Sequence, residues 1–152
     1  MSHELSQDIE TGLSDVLDQL PSKIRTGVYG LGVDVASIDR MKLAVGRSGQ
    51  AFLDRVYTEQ EQAYCATSEI PEQRYAACWA AKEAAVKALG TGFRYEISFK
   101  DIELTQNSEG KPMLMVKGRF KTLMEEKGVN DIKVSLSHDQ TCAVATVIIS
   151  KI

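Results

Sequence analysis

Asp34, Glu83 and Lys87 are the residues of this chain whose types and surroundings could do chemistry. Asp34 lies in "YGLGVDVASIDR", residues 29–40, a run that otherwise reads as a buried strand. Side chains alternate across a strand, so Tyr29, Leu31, Val33 and Val35 face one way, and Gly30, Gly32 and Asp34 the other. The carboxylate therefore stands on a face stripped of side chains. Glycine inside a strand marks close approach by a ligand or by another stretch of backbone. Two readings stay open here. A ligand sits opposite Asp34, or the acid caps a following turn while the glycines allow tight packing.

Glu83 and Lys87 fall one helical turn apart in "YAACWAAKEAAVKALG", residues 75–90, and Trp79 lies one turn before Glu83. A plain reading is an i,i+4 ion pair, contributing ~0.2–0.5 kcal/mol on a helix surface, with Trp79 as core. Joined to Asp34, the same residues have a second use. Two carboxylates suit Mg²⁺, which keeps several waters and takes its remaining ligands from substrate phosphates, and a lysine would then stand beside those phosphates.

The elements that must position these residues follow from periodicity and punctuation. Residues 27–35 alternate as a strand, and a helix is expected from about 37 to 46. Thr58 followed by Glu61 in "YTEQEQAY" is a capping-box signature that opens the next helix. The alanine-rich run 75–90 is free of proline and glycine until Gly90, which stops it. "EISFKDIELTQ" and "NSEGKPMLMVKG" form a hairpin turning through Gly110 and Pro112, residues 119–127 a short helix, and "DIKVSLSHDQTCAVATVII" two antiparallel strands joined around Asp139 and Gln140. The fold class is α+β, an antiparallel sheet packed with a long central helix.

Composition bounds the function. The chain has 152 residues, 43% hydrophobic and 26% charged, which suits one soluble domain with a substantial core. No apolar run approaches the ~20 residues of a membrane span, and the acidic start "MSHELSQDIE" is unlike a secretory signal or a mitochondrial presequence. The expected compartment is cytoplasmic. Cys65, Cys78 and Cys142 form no C-x-x-C pair and read as free thiols. Residues 1–22 carry Glu4, Asp8, Glu10, Asp15 and Asp18 without one lysine or arginine, which leaves a mildly basic body. Such a body suits an anionic substrate and lacks the basic footprint of a nucleic-acid binder. Upstream of Pro21, Ile9, Leu13, Val16, Leu17 and Leu20 fall at helical spacing, so residues 6–20 read as an amphipathic helix in an extension of residues 1–27. Residues 28–152 form the domain proper.

"GLGVDVASIDR", "FLDRVYTEQE", "WAAKEAAVKALGTG", "KDIEL", "GKP" and "VSLSH" stand in the order seen in the holo-acyl-carrier-protein synthases, the small class of 4'-phosphopantetheinyl transferases, which the chain resembles over nearly everything after residue 27. That resemblance implies transfer of phosphopantetheine from coenzyme A to a serine of an acyl carrier protein, releasing adenosine 3',5'-bisphosphate. It implies Asp34 and Glu83 as Mg²⁺ ligands, with the bare glycine face leaving room for the ion and pyrophosphate. Lys87 would assist on the phosphates, and Glu83, directly or through a water, would accept the serine proton. Gly90, Thr91 and Gly92 would lie along coenzyme A as a donor-rich turn. Ser137 and His138 would lie near the nucleotide in a binding role. Arg40, extended by Arg47 and Arg55, would grip the acidic helix of the carrier protein. Relatives often carry an arginine where this chain has Cys78, which leaves one phosphate contact to Arg74 or to none. The resemblance further implies a homotrimer with shared sites. A non-catalytic module that binds coenzyme A or a carrier protein is the competing reading.

Overall fold

A computed structural model describes residues 26–152. The amphipathic helix expected over residues 6–20 lies outside the described residues. The described elements run in the order β1 (Gly27–Ser37), α1 (Ile38–Val56), α2 (Glu59–Ala66), α3 (Pro71–Leu89), a 3₁₀ turn (Phe99–Asp101), β2 (Ile102–Gln106), β3 (Pro112–Val116), α4 (Gly118–Glu126), β4 (Asp131–His138) and β5 (Cys142–Lys151). This is the α+β class read from the sequence.

The strands form two sheets rather than one. β1, β5 and β4 make an antiparallel sheet in that order, with Asp34 opposite Ala145 and Ala145 opposite Leu136. β2 and β3 pair only with each other, from Ile102↔Val116 to Gln106↔Pro112. Alternation identifies strands, whereas the grouping of strands into sheets is a long-range property that alternation does not carry.

α3 is the central helix. It starts at Pro71, four residues before the stretch read as helical, because proline at the first helical position gives up an N–H that no carbonyl would meet. It ends where expected, at Gly90 in the left-handed conformation (φ 83°). Its buried side chains include Ala76, Ala80, Ala81, Ala84, Ala85 and Ala88, a small-residue surface that lets the helix backbone come close to the sheet. α1 runs ten residues beyond its expected end. Gly49 (φ 51°) kinks the chain beyond that point, and burial of Phe52 and Val56 one turn apart draws the backbone back into helix. α2 opens with the expected capping box: Glu61 N–H donates to Thr58 Oγ1 at 3.2 Å, and Thr58 N–H to Glu61 Oε1 at 3.0 Å. Cys65, Cys78 and Cys142 are free, the first two buried.

Candidate active site

Gly30 and Gly32 seat a helix, so the glycines serve tight packing, while Asp34 caps no turn: the cap of α1 is Ser37. A Cβ on Gly30 would lie 1.8 Å from the carbonyl oxygen of Ala88, and one on Gly32 would lie 1.9 Å from that of Ala84. The cleared face is therefore filled by the backbone of α3, and the room it was expected to leave for an ion and pyrophosphate is absent. The glycines serve the chemistry indirectly. By letting α3 lie against β1, they bring the Asp34 carboxylate to the helix edge that carries Glu83 and Lys87.

Lys87 Nζ donates to Asp34 Oδ1 at 2.8 Å and to the Val33 carbonyl at 3.1 Å. The surface pair read along one helix is thus replaced by a pair between helix and strand, with Lys87 reaching across to β1. The lysine side chain is 50% exposed and that of Asp34 16%, so the pair sits at a lip open to solvent on one side. Its bond to Asp34 holds the ammonium above its usual range. Burial, and then the charge of Asp34, push the Glu83 carboxyl up from its ordinary value, while Lys87 pulls the other way. Asp34 and Glu83 are therefore close enough to feel each other's charge. Among the described residues no cluster of three or more metal-ligating side chains occurs. Two carboxylates at one solvent-open lip could hold a hard ion that draws the rest of its shell from water and phosphate.

The turn after α3 differs from expectation. The N–H groups of Gly90, Thr91 and Gly92 all donate to the Val86 carbonyl, at 3.1, 3.1 and 3.2 Å. A turn that closes a helix this way has spent its donors on the cap, so it offers a ligand carbonyls and close approach rather than amides. Thr91 is buried, its carbonyl accepts from Arg94 Nε at 2.7 Å, and its hydroxyl donates to the Gly92 carbonyl.

Ser137 and His138 lie elsewhere, at the exposed end of β4. They line a cavity of about 610 Å³ with Tyr64, Arg74, Gln106 and Pro112. There the Arg74 guanidinium lies 4.1 Å from the Tyr64 ring centroid and donates to the Tyr64 carbonyl at 2.7 Å and Thr67 Oγ1 at 2.8 Å. Cys78 is 1% exposed and packs in the core, so the one basic side chain that α3 gives this cavity is Arg74. His138 forms no dyad with Asp139, whose carboxylate accepts from the Thr141 and Cys142 amides and closes the β4–β5 turn. Arg40, Arg47 and Arg55 are exposed along α1. Arg40 alone lines a second cavity of about 290 Å³, with Val35, Met41, Phe52 and Trp79.

One buried charged side chain escaped the sequence reading. Lys82 is fully buried and bound to Glu61, and its signal was available: Cys78, Ala85 and Leu89, spaced one and two turns from it on α3, are all apolar and all buried.

Residues 30–146 match the family model of the 4'-phosphopantetheinyl transferase superfamily. The chain is 40% identical over 124 residues to a holo-[acyl-carrier-protein] synthase of Geobacter sp. (strain M21), covering 82% of this chain and 99% of that relative. It is 44% identical to one of Gloeobacter violaceus, covering 81% of this chain and 93% of that relative. Among solved structures, the holo-[acyl-carrier-protein] synthase of Neisseria meningitidis is similar at a TM-score of 0.77 with 32% identity, over 82% of this chain and all of that one. The Helicobacter pylori enzyme, solved in complex with coenzyme A, is similar at a TM-score of 0.70 with 30% identity, over 78% of this chain and 98% of that one. With matches that run from β1 to β5 and relatives matched over nearly their whole length, the chain belongs to the 4'-phosphopantetheinyl transferase superfamily.

Proposed function

We propose that this chain transfers the 4'-phosphopantetheine arm of coenzyme A to a serine of an apo acyl carrier protein, releasing adenosine 3',5'-bisphosphate, with Mg²⁺ as cofactor. The observation that carries the reading is the convergence of Asp34, Glu83 and Lys87 at one lip between β1 and α3, in a chain whose relatives are named holo-[acyl-carrier-protein] synthases.

Asp34 and Glu83 would hold the ion, which when bound offsets charge developing on the phosphoryl oxygens and the leaving group. The serine oxygen bonds to the phosphorus that carries the pantetheine arm, and the bond from that phosphorus to the nucleotide side of the pyrophosphate breaks. Glu83, directly or through a water, would take the serine proton. Lys87 is half-exposed on Asp34, so its ammonium can turn from the carboxylate to an arriving phosphate without leaving a buried charge unpaired. Gly90, Thr91 and Gly92 would lie along coenzyme A, with the glycines leaving room for its approach. Ser137 and His138, with the Arg74 cavity, would hold the nucleotide.

Arg40 would meet the carrier protein at the rim of its cavity, with Arg47 and Arg55 extending the basic surface along α1. The same proposal includes a homotrimer. Leu31, Val33, Val35 and Ile148 expose an apolar sheet face on the side away from α3. The two groups assigned to coenzyme A also lie at opposite halves of α3, Ala77 to Gly90 being ~20 Å of helix at ~1.5 Å per residue. A cleft between subunits would join them. The division at residue 27 belongs to the proposal too, as does a cytoplasmic location, where the free thiols stay reduced. Among the described residues no helix is long and apolar enough to cross a membrane.

The test is the intact mass of an apo carrier protein after incubation with this protein, coenzyme A and Mg²⁺. Transfer adds one phosphopantetheine covalently. Unchanged mass with bound coenzyme A would leave the binding-module reading in its place. Light scattering tests the assembly, and a monomer mass with full activity would remove the shared site.

A further inference from the structure

Beside Glu83 in the chain, Lys82 points the other way, into the core. Its ammonium is 0% exposed and donates to Glu61 Oε1 at 2.8 Å, to the Phe99 carbonyl at 2.8 Å and to the Ile102 carbonyl. Glu61, equally buried, also accepts from Thr58 N–H at 3.0 Å and, through Oε2, from Leu104 N–H at 3.0 Å. All three ammonium protons and both carboxylate oxygens are engaged. The network joins the start of α2, the middle of α3, the 3₁₀ turn and β2.

A buried ion pair contributes little net stability, because desolvation offsets most of its attraction. What it does contribute is direction, since charge-assisted hydrogen bonds have preferred lengths and angles and apolar contacts do not. Glu83 sits between two pinned neighbours. Ala84 on one side is locked against Gly32, and Lys82 on the other is locked to Glu61, Phe99 and Ile102. Two contacts at different angles around one helix prevent its rotation, which fixes the direction in which Glu83 leaves α3.

The anchored Phe99 carries the constraint further. Its ring stacks on Trp79 at 5.0 Å and on Phe93 at 4.0 Å, and Trp79 meets Phe52 at 6.1 Å. Trp79 stands one turn before Glu83, and Phe93 directly follows Gly92. An aromatic row thus runs Phe52–Trp79–Phe99–Phe93, with Trp79 on the same helix one turn from Glu83, and Lys82 holds Phe99 by its backbone carbonyl.

We propose that the buried Lys82–Glu61 pair is a positioning device for the reacting centre, setting the direction of Glu83 and the aromatic row beside it. The inference rests on the transfer activity proposed above, but one of its signals does not. Trp79 is the sole tryptophan of the chain, so its near-ultraviolet circular dichroism reports the stacking on Phe99 whether or not transfer occurs.

The experiment compares the full chain with Glu61→Gln/Lys82→Met, which leaves no unpaired buried charge, and with Phe99→Leu, which keeps the ion pair and removes the relaying ring. In both variants kcat should fall by about 10- to 100-fold, as expected for misplacement of a reacting group, with KM for coenzyme A within about threefold of wild type. Both should lose intensity in the Trp79 band. A folded double variant with wild-type kcat and an unchanged Trp79 band would reduce the pair to a stability element and overturn the proposal. If the double variant does not fold, Phe99→Leu decides: unchanged kcat overturns the relay. Should wild-type protein show no transfer, the Trp79 band alone decides, and an unchanged band in the folded double variant overturns the positioning role independently of the activity.

Discussion

Two lysines of α3, five positions apart, form ion pairs with opposite properties. Lys82 and Glu61 are both 0% exposed and closed by hydrogen bonds on every side. Lys87 is 50% exposed, bonds one carboxylate oxygen and one carbonyl, and sits beside a second carboxylate whose proton affinity is raised. The difference is in what each pair can exchange. Breaking the closed pair strands a charge in the core, while the open pair can trade its partner for an ion or a phosphate at small cost. One helix thus carries a pair closed in the core and a pair open to solvent at its lip.

The strongest way to break this comparison is to remove the carboxylates at the open lip. Asp34→Ala and Glu83→Ala should each lower turnover by about 1,000-fold, the loss typical of removing a group that stabilises transition-state charge. The fold should survive both, since Asp34 and Glu83 lie at the rim; steady-state rates beside a far-ultraviolet spectrum check this. Lys87→Ala should cost less, about 10- to 100-fold. Its loss should be pH-dependent with a definite sign. Lys87 lowers the proton affinity of Glu83, so without it Glu83 stays protonated to higher pH and the acid limb of the rate profile moves upward. A limb that stays in place, or moves down, would detach Glu83 from the acid limb.

The glycine seat sharpens the comparison from the packing side. Gly32→Ala should destabilise the fold by about 1–3 kcal/mol through overpacking against the Ala84 carbonyl. Gly46→Ala, on an open stretch of α1 with nothing within 4 Å, should be neutral or stabilising. Chemical denaturation of the two variants checks the contrast, and equal midpoints would remove the seat.

The smallest effect belongs to a residue in neither pair. Asp139 is held to a pKa of about 2 by the Cys142 and Thr141 amides. A carboxylate depressed on folding stabilises the native state above its unfolded pKa and loses that contribution as the pH falls through its folded value. Asp139→Ala should therefore be slightly less stable than wild type at neutral pH. The gap should narrow below about pH 4, as read from denaturation midpoints across that range.

What the sequence disclosed was local. Alternation around Asp34, the Thr58–Glu61 capping box and the Gly90 stop are each written within a few residues, and each of these signals is realised in the structure, although α3 begins four residues earlier than its alanine-rich run. The spacing of Glu83 and Lys87 is one turn of helix and so legible locally, whereas the bond of Lys87 to Asp34 spans 53 positions and is not. The rest depended on contacts between distant segments. Whether a cleared glycine face admits a ligand or a helix depends on residues 84 and 88, more than fifty positions away. The amides of Gly90, Thr91 and Gly92 look free in sequence and are spent on the Val86 and Lys87 carbonyls in space. The grouping of β2 with β3 alone, apart from the other strands, has no local signature at all.

The open lip between β1 and α3 is tested most directly by the rate of covalent arm transfer as Mg²⁺ is titrated. Wild type, Asp34→Asn and Glu83→Gln would each be stripped with a chelator, given saturating coenzyme A and apo carrier protein, and followed by intact mass. Wild-type transfer should stop on chelation and return saturably with Mg²⁺, and each variant should need far more Mg²⁺ or fail to respond. Wild-type transfer that continues without Mg²⁺, or a variant with the wild-type Mg²⁺ response, would contradict the assignment of Asp34 and Glu83 as the residues that hold the ion.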